Sequence, residues 1–121
     1  MAATASVKLV ATLDGLNKPV EFPISWSTTT TPTKYVMGRQ VQAAADTEEA
    51  LDVGDLTTVL LAVIECISND VDIDTSFDTT FSAEITCNEG EAQVFTPTGT
   101  IYLKNDDAEE SFTVDYLLIG I

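Results

Sequence analysis

Histidine is absent from this 121-residue chain, and with it go the commonest general base and the commonest transition-metal ligand. Neither a Ser-His-Asp nor a Cys-His arrangement can be assembled from these residues. No glycine-rich phosphate loop is present either. Paired carboxylates could in principle support glycoside hydrolysis. With 20 acids in the chain, however, any two will lie close by chance, so such a pair carries no information. The chain is therefore read as not an enzyme, with no cofactor expected.

Cysteine is nearly as scarce. Cys66 and Cys87 are too few for a disulfide framework. Each falls on the apolar side of a strand-like run: Leu60, Ala62, Ile64, Cys66 and Phe81, Ala83, Ile85, Cys87. That placement predicts two buried thiols packing as small hydrophobes, with a bridge between adjacent strands as the lesser alternative. Long apolar runs are missing too. The longest, Val59 to Ile64, has the length of a strand and not of a membrane-spanning helix. The start, Met1-Ala2-Ala3-Thr4-Ala5, lacks the basic and apolar regions of a signal peptide, so no cleaved leader is expected.

Bases are the last shortage. From Val41 onward there are 18 acids and one base, Lys104, a net charge of −17. The first forty residues hold Lys8, Lys18, Lys34 and Arg39 against Asp14 and Glu21, a net charge of +2. So negative a surface repels DNA, RNA and anionic membranes, and none of these is expected as a partner. The N-terminal third is the better candidate for contact with an acidic neighbour.

What the chain does have is 45% apolar residues, which argues for a folded domain despite the charge of −15. Its length fits one core of ordinary size. Apolar residues recur with a period of two, as in half-buried strands. Asp70 to Asp74, Phe81 to Ile85 and Phe112 to Tyr116 all alternate this way, so the acids are expected on the solvated faces of strands.

Val7, Leu9, Ala11 and Leu13 form one alternating face and Val20, Phe22, Ile24 and Trp26 another, with a loop from Asp14 to Pro19 between them. This reads as a hairpin whose second strand lies at an edge or a bulge, because Pro23 lacks an N–H. The polar stretch Thr28 to Thr31 before Pro32 then detaches residues 1–33, as an appendage, from a main domain over 34–121. Ala43 to Glu49 is too short for an isolated helix and is read as extended or a single turn. Strands are expected at Ala50–Leu56, Val59–Ile67 (central), Val71–Ile73, Phe81–Cys87, Ala92–Thr96, Thr100–Lys104 and Phe112–Ile119. The whole is predicted to be an all-β antiparallel sandwich, jelly-roll-like, carrying an N-terminal hairpin.

Two constellations invite a functional reading. Asp70, Asp72 and Asp74, with Asp78 beyond, resemble a calcium loop. Thr75 stands where such a loop needs Gly and Phe81 where it needs Glu, so a solvated strand face is the favoured reading and no metal is expected. Val20, Phe22, Ile24 and Trp26 form a heavily apolar strand face beside a polar spacer. It is either core or a contact face for a neighbouring chain. With the nearby bases Lys34 and Arg39, these residues are the candidate partner-binding set.

The order of segments from Thr47 onward resembles small virion-associated β-sandwich proteins of tailed bacteriophages. The likeness rests on Ala50-Leu51-Asp52-Val53-Gly54, Asn69-Asp70-Val71-Asp72-Ile73 and Glu89-Gly90-Glu91-Ala92-Gln93-Val94-Phe95. Val53 stands in place of a usual Leu, and Asn88-Glu89-Gly90 in place of an Ala-Gly turn. It covers roughly residues 35–121; residues 1–33 fall outside it. The resemblance implies a structural role: decorating or cementing the capsid, or forming part of a head fibre. The expected partners are the major capsid protein or neighbouring virion proteins, with a homo-oligomer, a trimer first, and assembly in the host cytoplasm before residence in the virion. A tail or neck component, and a soluble carbohydrate- or calcium-binding adhesion module, are the alternatives.

Overall fold

The computed structural model describes residues 2–44 and 47–121. Two compact units emerge, Met1–Pro32 and Thr33–Ile121. The first is a two-stranded antiparallel ribbon of β1 (Ser6–Leu13) and β2 (Val20–Ser27), running in register from Ser6↔Ser27 to Leu13↔Val20. Gly15 turns the chain with φ of 91°, a conformation that an L side chain resists.

The second unit has eight strands: β3 (Lys34–Gln42), β4 (Glu49–Ala50), β5 (Val59–Ser68), β6 (Val71–Phe77), β7 (Ile85–Cys87), β8 (Ala92–Phe95), β9 (Thr100–Asn105) and β10 (Phe112–Gly120). They form two four-stranded sheets, ordered β3-β10-β5-β8 and β4-β9-β6-β7. The first strand of the unit pairs with the last, the second with the last but one, and so inward to the β6–β7 hairpin. This nested wrap is that of a jelly roll. The fold class is thus the all-β antiparallel sandwich with an N-terminal hairpin.

Its core lies between the sheets. One sheet contributes Ala62, Ile64, Cys66, Phe112, Val114, Tyr116 and Leu118; the other contributes Val71, Ile73, Cys87, Ile101 and Leu103. These residues alternate along their strands, as a one-sided core requires. Each fully buried Leu, Ile or Phe stabilises the fold by ~1.5–3 kcal/mol. Tyr116 reaches through the core to donate a hydrogen bond to the Asp52 carbonyl at 3.0 Å.

Several local expectations shift. Regular pairing over Phe81–Cys87 is confined to β7, and over Ala50–Leu56 to the two residues of β4. Glu84 accepts hydrogen bonds from the hydroxyls of Thr75 and Ser76, which draws the segment before β7 toward the β6 bulge. Asp52 accepts from the Gly54 N–H at 2.9 Å, closing a turn immediately after β4. Of the Ala43–Glu49 segment, Ala45 and Asp46 lie outside the described residues.

The acids are also arranged differently from the expectation. Among the described residues only Glu21, Glu49, Glu65, Asp72, Asp74 and Asp115 stand in strands. The others are on turns and loops, where a carboxylate can cap a backbone N–H and stay hydrated.

Candidate interaction surfaces

The hairpin register places Val7, Leu9, Ala11 and Leu13 beside Trp26, Ile24, Phe22 and Val20. In each cross-strand pair the two side chains share a face. One face of the ribbon is therefore apolar at all eight positions. The opposite face carries Ser6, Lys8, Val10 and Thr12 beside Ser27, Ser25, Pro23 and Glu21. The apolar face is open to solvent: Phe22 is 61% exposed, Val20 51%, Ile24 42% and Trp26 38%. An isolated two-stranded hairpin is only marginally stable in water, so an uncovered face of this kind is a candidate binding surface.

Of the candidate partner-binding residues, Val20, Phe22, Ile24 and Trp26 come together on that face. Lys34 and Arg39 belong to the second unit, on β3. Lys34 Nζ sits 3.2 Å from Asp55 Oδ2. Arg39 donates to both carboxylate oxygens of Asp115, Nε at 2.6 Å and Nη2 at 2.9 Å. This two-pronged contact holds the Asp115 carboxyl below the usual carboxylate range and pushes the guanidinium up.

A second exposed apolar surface escaped the sequence reading. On the outer side of the β3-β10-β5-β8 sheet, Tyr35 pairs with Ile119 and Met37 with Leu117, which pairs in turn with Val63. The next row is Arg39, Asp115 and Glu65, and beyond it Val41 pairs with Thr113. Tyr35 is 69% exposed and Met37 70%. Met37, Val63, Glu65, Asp115 and Leu117 line a shallow groove of about 280 Å³. The signal for this face lay in Val59–Ile64 and Tyr116–Ile119. There apolar residues run on without alternating, as in strands with both faces covered.

Three of the four aspartates of the calcium-like segment are engaged separately. Asp70 accepts from the Glu89 N–H at 2.9 Å, and Asp72 from the Thr86 hydroxyl at 2.7 Å. Asp74 is buried and accepts from the N–H groups of Ser76 and Ser82 at 3.0 and 2.9 Å. Asp78 lies on the turn after β6. Among the described residues no three carboxylate or thiol side chains are grouped to hold a metal ion. Burial raises the Asp72 carboxyl above its ordinary pKa; neighbouring Asp106 adds to the effect, while Thr86 and Lys104 oppose it.

Both cysteines are free and buried. Burial pushes the Cys66 thiol up to about 12 and raises that of Cys87. Neither is a poised nucleophile. On the second sheet Phe77 stacks on Tyr102 with ring centroids 3.6 Å apart, so these aromatics cover each other and present no open platform. An open cleft of about 310 Å³ at Val53, Leu56, Thr58, Pro97 and Ile101 is lined without a single titratable side chain.

Compared with family models, curated proteins and solved structures, the chain shows no match.

Proposed function

We propose that this chain is a non-enzymatic structural component of a tailed-bacteriophage virion, a capsid decoration or head-fibre module that attaches through its N-terminal hairpin. The observation that carries the reading is the all-apolar, solvent-open face of β1 and β2. The hairpin unit holds two bases and two acids, whereas the jelly roll holds three bases and 18 acids. A neutral apolar ribbon can enter a trough on a neighbouring protein without desolvating charge. A jelly roll of net charge −15 stays hydrated and resists nonspecific association. The segments over 35–121 that resemble virion β-sandwich proteins supply the class of particle.

The test is assembly. Tagged full-length chain, a Phe22→Glu/Ile24→Glu variant and a chain lacking residues 1–32 are each supplied during infection, and particles are purified on a density gradient. The full chain is expected in the particle fraction and both altered chains in the soluble fraction. Particles that carry the altered chains at full occupancy would refute attachment through the hairpin. Separating heads from tails before detection distinguishes a capsid position from a tail or neck position.

A further inference from the structure

The outer face of the β3-β10-β5-β8 sheet supports a second inference, independent of the virion reading. We propose that this face is a two-fold interface between two copies of this chain.

The first argument is charge. The second unit carries net −15, yet among the described residues this face holds only Arg39, Asp115 and Glu65 as ionised groups. Two copies of this unit repel each other over the acidic loops and much less here. A basic partner would be drawn to those loops instead, because the face offers it one unpaired acid, Glu65.

The second argument is self-complementarity. The charged row runs Arg39 on β3, Asp115 on β10 and Glu65 on β5. Rotating a second copy by half a turn about an axis along β10 lays its Glu65 over the first copy's Arg39, and the reverse. An isologous contact requires this reciprocity: residue i meets j and j meets i. Arg39 uses two N–H donors on its own Asp115, and a guanidinium has more to give. The same rotation sets the protruding Met37 of one copy over Val63 of the other, where the groove lies.

The third argument is area. Four strands at ~4.8 Å spacing, crossed by four rows at ~6.8 Å, make a face of about 19 Å by 27 Å. Two such faces in contact bury on the order of 1,000 Å², the lower bound for a specific interface. The pair is therefore expected to form at micromolar concentration and to tighten with salt, which screens the acidic loops.

Light scattering on the full-length chain, at micromolar to near-millimolar concentration and in low and high salt, tests this. The expected mass is twice 13.0 kDa. Glu65→Arg and Arg39→Glu should each weaken the pair at least about tenfold, and the double exchange should restore it to within about threefold. Met37→Glu should give single copies, and Phe22→Glu on the hairpin should leave the pair intact. Unchanged thermal melts confirm that these exposed substitutions leave the fold in place. A single copy at every concentration, a three-copy mass, or a pair indifferent to both Met37→Glu and Glu65→Arg would overturn the proposal. So would a pair lost only with Phe22→Glu.

Discussion

Tyr116 lies directly across Gly38: the two are register partners on β10 and β3, and a β-carbon at position 38 would stand 2.8 Å from the tyrosine hydroxyl. That hydroxyl is committed to the Asp52 carbonyl, which ties the turn after β4 to the sheet. Gly38→Ala must therefore displace the ring or the strand, and the hydrogen bond goes with it. The expected cost is about 1–3 kcal/mol, the range for overpacking a filled core, read as a lowered midpoint in urea with an unchanged slope. A neutral substitution would show that the tyrosine has room to move. Tyr116→Phe alone should cost about 1 kcal/mol, the net worth of one hydrogen bond.

The acid at position 74 is structural, and calcium should be irrelevant to it. Both its oxygens are taken by the N–H groups of Ser76 and Ser82. Asp74→Ala strands two donors and should destabilise the protein by about 2–5 kcal/mol. Millimolar calcium should leave the wild-type melting temperature within about 1 °C of its starting value, because a ligand stabilises only the state that binds it. A rise of several degrees would bring the calcium-binding adhesion reading to the front.

Asp72 behaves in the opposite sense to an ion-paired carboxylate. Its folded pKa lies above the ordinary value because burial disfavours the charge and Asp106 stands nearby. A group shifted upward stabilises the fold fully below its unfolded pKa of about 3.9 and loses that contribution as pH rises through the folded value. Asp72→Asn keeps an acceptor for the Thr86 hydroxyl and removes the charge. It should melt higher than wild type at pH 7, with the gap closing toward pH 3. A gap independent of pH would point to a cause other than charge burial.

Much of the jelly roll is legible in the pattern of two. Val20, Phe22, Ile24 and Trp26 share a face, and Ala62, Ile64 and Cys66 share another, as alternation requires. Whether a shared face is covered is a property of the whole fold, and here the two faces have opposite fates. The nesting of β3 on β10 and β4 on β9 is equally non-local. Glu49 and Ala50 form a strand only because Leu103 and Tyr102 lie alongside them. The outer sheet face was missed because Tyr35, Met37 and Arg39 alternate with Val36, Gly38 and Gln40. Nothing in that alternation says which set faces inward.

Pro23 shows how the hairpin avoids growing into a larger sheet. The Thr28 N–H donates to the Ala5 carbonyl at 3.0 Å. That bond extends the ribbon by one pair and sets its phase, because hydrogen-bonded and non-hydrogen-bonded pairs alternate along an antiparallel ladder. Counting inward from Ala5 and Thr28, Val10 and Pro23 fall in a non-hydrogen-bonded pair. The proline nitrogen therefore points away from β1, toward the free edge of β2, and the ladder loses nothing. What is lost is a donor on an edge that could otherwise recruit another strand. Pro23→Val should restore that donor and leave the pairing of β1 with β2 intact. The expected outcome is concentration-dependent aggregation with rising thioflavin fluorescence, while the jelly roll keeps its melting temperature. A Pro23→Val chain that stays as soluble as wild type would mean that the exposed apolar face, not the edge, governs what this hairpin binds.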